Sequence, residues 1–529
     1  MPGRIVAQPA PGQGAGEVRA WTRVYACNPA DGVGIASATR PIGRGTMRKL
    51  VLLRHAVRSV IYAGSGAFVV LLVLAVLYLD NQPDLEVWHQ AELDAEFTAD
   101  SPVRTFEDYL RLEDRLFRQL DEHVYARIGA EDRLDINRYN RGSLSDPRRW
   151  PRNWNRSFEF GSDAPRLGVL LLHGMSDAPY SLHSLGERLN AAGAQVLGLR
   201  LPGHGTAPVG LTTVRWEDMA AAVRLAMRHL REELGDKPLY IIGYSNGGAL
   251  AVEYALSALR DASLPPLAGV VLISPAIGVS PVAALAVWQA RLGHLLRLPK
   301  LEWNSVQPEY DPFKYNSFAV NAGNQVYRLT GAIQSRFDTL DEDELARFPP
   351  LLAFQSVVDA TVSPRDLVHG LFDRLPSGRH ELVGFDLNRV SGVVYLLRRD
   401  PGPALEALMR KPDRDFTLTL LANAGADSSD IVIRRAGPGE TSATRTTTTM
   451  KWPQDVYSLA HIALPFRGDD PLYGGDSPAR SPGIRLGKFA LRGERGVLRI
   501  SATDMLRLHW NPFYDYLQQR VLGFVQAAD

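Results

Sequence analysis

Residues 238–259 read PLYIIGYSNGGALAVEYALSAL, and this stretch organises the rest of the chain. The short apolar run PLYII has the length of a buried strand, while GGALAVEYALSAL carries small and apolar residues at helical length. Between them stands Gly243-Tyr244-Ser245-Asn246-Gly247, a G-x-S-x-G pattern. A strand that turns sharply into a helix leaves little room for side chains two positions before and after the turn residue, so small residues are needed at both. Such a turn lifts the serine hydroxyl above the sheet beside a helix N-terminus, whose dipole favours developing negative charge. Ser245 is therefore the candidate nucleophile.

Further short apolar runs surround this one: LGVLLLHG around 168–175, QVLGLRLPG at 195–203, LAGVVLISPA at 267–276, PPLLAFQSVVD at 349–359 and HELVGFDLN at 380–388. Amphipathic segments lie between them, including Tyr180 to Ala192, Trp216 to Leu234 and Gly247 to Leu259. Continuous apolar runs alternating with helices predict an α/β fold, a doubly wound and mostly parallel sheet buried on both faces. Ligands of such sheets bind at the carboxyl ends of the strands, so the residues just after each run are where chemistry is expected.

Three candidates follow. His173-Gly174-Met175 ends LGVLLL, and the backbone N–H groups of Met175 and Asn246 are the expected oxyanion donors; His173 reads as a loop-fixing residue. Asp359 ends LLAFQSVVD and is the expected acid, orienting a histidine without taking its proton. Asp338, Asp341 and Asp343 lie in a charged run typical of a solvated face, and Asp386 lies within a strand run. His461, in DVYSLAHIALPFRGDDPLYG, is the preferred histidine, 102 residues after Asp359. His380 begins a strand at the end opposite the active face, His369 falls in a helix, and His204 in RLPGHG reads as shaping the site.

Two stretches interrupt the alternation. Residues of about 278–345 hold VAALAVWQARLGHLL and read as a helical lid in which Leu285, Val287, Trp288, Leu292, Leu295 and Leu296 either shield an acyl chain or pack the lid onto the core. Residues of about 390–455 contain the strand-like runs FTLTLLANA and DIVIRRA, and the tract TSATRTTTTM, which reads as a solvated loop.

Together HGMSD, RLPGHG, GYSNGG, SVVDATVSP and a late His461 resemble the α/β-hydrolase superfamily, nearest its monoacylglycerol lipase, carboxylesterase and S33 serine aminopeptidase-like branch. The resemblance spans roughly Leu167 to Asp529. It implies the chain order Ser, Asp, His and a lid before the strand ending in Asp359. The sequence departs from the pattern in the long gap before His461 and in its N-terminal region.

The 529 residues are 45% hydrophobic and 22% charged, which excludes overall disorder. Lys and Arg total 59 against 58 acids, a net charge of +1 that offers no field for gripping nucleic acid. A lone Cys27 excludes an internal disulfide, and no Cys/His cluster suggests structural zinc. The average hides an asymmetry. Ser59 to Leu79, SVIYAGSGAFVVLLVLAVLYL, carries no charge and as a helix spans roughly 32 Å, about one hydrocarbon core. Residues 1–58 hold nine Lys or Arg against two acids, and residues 80–100 hold seven acids and no Lys or Arg. The positive-inside rule then predicts an uncleaved transmembrane signal anchor at 59–79, with 1–58 a basic cytoplasmic tail and the catalytic part extracytoplasmic, which in a Gram-negative bacterium would be the periplasm. Residues 1–46 read as a disordered tail or as sequence upstream of a true start at Met47.

The expected organisation is thus a tail, an anchor, a helical linker segment at 80–160 and an α/β-hydrolase domain at 161–529. The expected activity is that of a membrane-anchored serine esterase acting on a lipid or other acyl ester, needing neither metal nor organic cofactor. An aminopeptidase-type serine peptidase and a non-catalytic tethered binding protein are the alternatives.

Overall fold

The computed structural model describes residues 44–80, 82–278, 298–391, 393–475, 481–488 and 502–527. Twelve strands occur among them: β1 Phe158–Phe160, β2 Leu167–Leu172, β3 Ala194–Leu199, β4 Leu239–Tyr244, β5 Gly269–Ile273, β6 Trp303–Ser305, β7 Phe318–Ala319, β8 Leu351–Ser356, β9 His380–Phe385, β10 Thr417–Gly425, β11 Ser428–Ala436 and β12 Thr444–Lys451. Ten of these form one sheet in the order β1-β3-β2-β4-β5-β8-β9-β10-β11-β12, and β6 and β7 pair separately. The centre, from β3 to β10, is parallel throughout, while β1 at one edge and β11 and β12 at the other run antiparallel to their neighbours.

The apolar runs are continuous because both faces of this sheet are covered. Leu170, Leu172, Ile241, Val270 and Leu272 fall in one buried cluster; Val169, Leu171, Ile242, Val271 and Ile273 fall in the other. Alternate residues of one strand thus face opposite layers. Each such side chain contributes about 1.5–3 kcal/mol by leaving water. The helix Trp216–Leu234 forms where its pattern predicts, and Asn246–Ala258 starts one residue earlier than expected because Asn246 follows the turn directly.

The 390–455 stretch is more than an insertion. Its two apolar runs become β10 and β11 and carry the sheet two strands past β9. The Thr-rich tract is not a solvated loop: residues 444–451 form the outer strand β12, paired with β11 from Asp430 to Arg435. Threonine suits a strand exposed on both faces, and nothing in its polarity alternates to announce one.

The expected lid divides. Residues 279–297, with the apolar positions named above, lie outside the described residues. Beyond them, Val320–Thr339 forms a 20-residue helix whose Val320, Ala322, Leu329 and Ile333 belong to the core cluster or its buried surroundings. That helix packs chiefly against the helix Asn246–Ala258.

Residues 82–160 pack onto the same body instead of bridging to it. The helix Phe106–Leu120 begins at a Thr105 capping box and buries Phe106, Tyr109, Leu112, Leu116 and Leu120 along one side. Tyr109 donates to the Arg200 carbonyl at 2.5 Å. Arg200 is 1% exposed and binds Glu96 at 2.9 Å and Glu113 at 3.1 Å.

The 59–79 run lies within the helix Arg44–Asp80, where Val60, Ile61, Phe68, Val69 and Val73 are exposed. Side chains at 71, 72, 74–76, 78 and 79 lie outside the described residues, as do residues 1–43. Among the described residues no helix is long and apolar enough to cross a membrane. By its contacts the chain divides into one unit ending at Ala75 and a second from Val76 onward.

Candidate active site

Ser245 sits between β4 and the helix Asn246–Ala258 with φ +53° and ψ −115°, a backbone conformation that non-glycine residues rarely adopt. Its neighbours hold it there. The Ser245 N–H donates to the Ile273 carbonyl at 3.0 Å, and the Ser245 carbonyl accepts from Gly248 and Ala276, both at 3.0 Å. The two glycines of the pattern are needed for close approach: a Cβ on Gly243 would lie 2.3 Å from the Gly247 carbonyl oxygen, and one on Gly247 would lie 2.2 Å from that of Leu172.

His461 Nε2 lies 3.1 Å from Ser245 Oγ, and His461 Nδ1 lies 2.8 Å from Asp359 Oδ2. A carboxylate accepts from Nδ1–H, which leaves Nε2 as the lone-pair nitrogen facing the hydroxyl. Asp359 is fixed on every side. Its Oδ2 also accepts from Gln355 Nε2 at 2.9 Å, and its Oδ1 accepts from the amides of Thr361 at 2.8 Å and Val362 at 3.0 Å. Burial works to raise this carboxyl, but the His461 contact and the two amides outweigh it, so it is held below the usual carboxylate range. His461 follows a loop after β12 and is pinned from below, where Ser356 Oγ donates to the Leu459 carbonyl at 2.9 Å. Its ring lies 5.4 Å from that of Tyr244.

The His173–Asp177 loop closes the other side of Ser245. A Cβ on Gly174 would come within 3.2 Å of the Ser245 Cβ. His173 Nε2 accepts from the Leu201 amide at 3.0 Å, so its Nδ1–H donates to the Gly174 carbonyl at 2.8 Å. Burial, with His204 nearby, holds His173 well below its ordinary value and therefore neutral. The Gly174 carbonyl and the Met175 N–H share one peptide plane and point opposite ways, so fixing the first aims the second. Among the described residues neither the Met175 nor the Asn246 amide has a protein partner. Both stand free at the elbow.

The other histidines and acids lie elsewhere. His380 pairs with Leu351 at the amino ends of β9 and β8. His369 is exposed against Asp373 at 2.8 Å, and His204 donates its Nδ1–H to the Pro202 carbonyl at 2.8 Å from within the core. Asp386 is held by Arg389 at 3.0 Å. Gln355 and the Thr361 and Val362 amides went unread in the sequence; a lone polar residue near the carboxyl end of LLAFQ was the available signal.

This order of strands, with a serine elbow after β4 and an acid after β8, is the α/β-hydrolase fold, and residues 163–386 match the family model described as Serine aminopeptidase, S33. This part of the chain is thus similar to that family and has the α/β-hydrolase fold. Among its relatives is the thermostable monoacylglycerol lipase of Bacillus sp. (strain H-257), 25% identical over 217 residues, which are 41% of this chain and 80% of that protein. Similar solved structures include a metagenome-derived lipolytic enzyme, at 25% identity over 44% of this chain and 87% of its own with a TM-score of 0.34. The Paleococcus ferrophilus monoacylglycerol lipase is 24% identical over 44% of this chain and 88% of its own, with a TM-score of 0.33. The family match ends at Asp386, so His461 and β10 to β12 lie beyond it.

Proposed function

We propose that the protein is a serine hydrolase that cleaves carboxylic esters, lipid or other acyl esters, through an acyl-enzyme on Ser245. The observation that carries this reading is the continuous chain of contacts from Ser245 Oγ through His461 to Asp359 Oδ2. As Ser245 Oγ attacks the ester carbonyl, its proton passes to His461 Nε2, and Asp359 stabilises the imidazolium. The Met175 and Asn246 amides receive the tetrahedral oxyanion. The C–O bond to the alcohol breaks as His461 returns the proton to the leaving oxygen. Water, deprotonated by the same nitrogen, then releases the acid and restores Ser245.

The monoacylglycerol lipase among the relatives supports an ester substrate. The family description, serine aminopeptidase, favours a second reading, cleavage of small peptides. Turnover of acyl esters against aminoacyl amides separates them: the ester reading expects at least a hundredfold preference for the ester, and the reverse ranking replaces it. Ser245→Ala is expected to abolish turnover in either case, and retained turnover in that variant contradicts the nucleophile.

We further propose that the helix containing Ser59 to Leu79 anchors the enzyme in a membrane with the catalytic part outside. The charge asymmetry around it and the exposed apolar side chains of Val60, Ile61, Phe68 and Val69 support this. Resistance to alkaline carbonate extraction and protease accessibility of residues 82–529 from the outer side are expected; release into the supernatant contradicts the anchor.

A further inference from the structure

A cavity of about 160 Å³ is lined by residues next in sequence to those of the candidate active site. Each loop of the site lends it a neighbouring residue: Asp177 lies two positions after Met175, Tyr244 precedes Ser245, and Ile462 follows His461. Arg507 lines it too and approaches Thr361 Oγ1 at 3.5 Å, beside the amide that binds Asp359.

Its size limits what enters. Pockets for larger organic ligands run from about 300 Å³ upward. One small ring fits; a long acyl chain does not.

Its chemistry is specific as well. The charged groups are largely committed to each other or to the protein. Lys314 binds Asp177 at 2.9 Å, and Asp311 accepts from the Tyr473 hydroxyl at 2.5 Å and from the Phe313 amide at 2.9 Å. Arg507 lines the cavity with no carboxylate partner among the described residues, and the remaining uncommitted polar groups are neutral. Asn316 Oδ1 accepts from the Tyr310 and Asp311 amides, both at 3.2 Å, which leaves its Nδ2 as a donor without a protein partner among the described residues. The Gln307 side chain and both ring nitrogens of His509 are likewise unpartnered among the described residues. Burial pushes His509 down to about 4, so its ring is neutral at physiological pH, one nitrogen donating and the other accepting. Aromatic faces complete the wall, with Tyr473 stacked on His509 at 6.2 Å between ring centroids.

An alkyl group would strand three neutral polar side chains. A hydroxyl both donates and accepts, and a pyranose presents several around a ring whose C–H face suits an aromatic surface. We propose that this cavity binds a monosaccharide as the alcohol portion of the substrate, so that the ester cleaved at Ser245 is an acylated sugar. The inference rests on the ester-hydrolase reading and names its substrate class.

The test compares kcat/KM of the full chain on 6-O-octanoylglucose, 1-monooctanoylglycerol and methyl octanoate. The glucose ester is expected to exceed the methyl ester at least tenfold and the glycerol ester at least threefold. Gln307→Leu and His509→Phe, which keep volume and remove hydrogen bonds, are each expected to lower the glucose-to-methyl ratio three- to tenfold, the worth of one such bond. Turnover of all three esters at equal efficiency, a glycerol ester preferred over glucose, or ratios unmoved by both variants would overturn the sugar assignment and leave the ester hydrolase standing. Failure to cleave any of the three would overturn the ester reading and the sugar with it. The wild-type ranking needs no variant, so a variant that fails to fold does not remove the test.

Discussion

Asp359 Oδ2 and His461 Nδ1 meet at 2.8 Å although 102 residues separate them. Between the two, the chain completes β9 and lays down β10, β11 and β12 before returning to the carboxyl ends of the central strands. The extension is therefore compatible with the site because it grows sideways from β9, and the loop after β12 brings His461 back over Ser356.

Asp359→Asn keeps the shape of the side chain but offers His461 an amide in place of a carboxylate. The imidazole then loses the partner that selects its tautomer and stabilises its charge. A fall in kcat of roughly 10⁴ is expected, the size of loss such a change causes in other triads. Steady-state kinetics on an acyl ester checks it, with circular dichroism confirming the fold. Ser245→Ala combined with His461→Ala is expected to be no worse than either alone, since the two act as a unit.

Gly247→Ala places a methyl 2.2 Å from the Leu172 carbonyl oxygen, and Gly243→Ala places one 2.3 Å from that of Gly247. Neither contact is relieved by rotating a side chain. Both variants are expected to lose turnover and several degrees of Tm, measurable by thermal unfolding alongside activity.

The Arg200 guanidinium binds Glu96 and Glu113 in a setting where all but Glu96 are nearly water-free. Removing one partner leaves a buried charge uncompensated, which costs about 3–5 kcal/mol. Arg200→Met is thus expected to be strongly destabilising, and adding Glu113→Leu is expected to restore part of the loss. Denaturant unfolding of the three proteins measures it.

Glu309 is 2% exposed, and burial pushes its carboxyl up to about 7 against the Asn316 and Ser317 amides and the charge of Arg138. The unfolded chain releases this proton near pH 4.5, whereas the folded protein keeps it until about 7. Across that window the folded state binds more protons, so this group lowers stability as pH rises, by on the order of 3 kcal/mol. Glu309→Gln is expected to flatten this part of the pH–stability curve, whatever its effect at a single pH. Denaturation midpoints between pH 4.5 and 8 show whether it does.

The parts of this architecture that could be read in advance are those with local causes. The elbow around Ser245 is spelled by two glycines whose spacing has one steric reason, and Asp359 stands where a buried apolar run stops. His461 followed from chain order once those two were in place. What could not be read depends on distant partners. Arg200 looks like any surface arginine in RLPGHG until Glu96 and Glu113, both from the preceding segment, close around it. The tract at 444–451 is polar on both faces, so no periodicity distinguishes an edge strand from a loop. Gln307 and Asn316 share the loop between β6 and β7, whereas His509 comes from almost 200 residues later, and only the fold gathers them around one cavity.

The central claim is that Ser245 is the nucleophile. Incubation of the intact protein with a fluorophosphonate, followed by peptide mass spectrometry, tests it most directly. The account predicts one phosphonyl adduct, on Ser245, appearing as ester hydrolysis is lost and prevented by His461→Ala. An adduct on another residue with activity lost in step, or full inhibition with Ser245 unmodified, would contradict it.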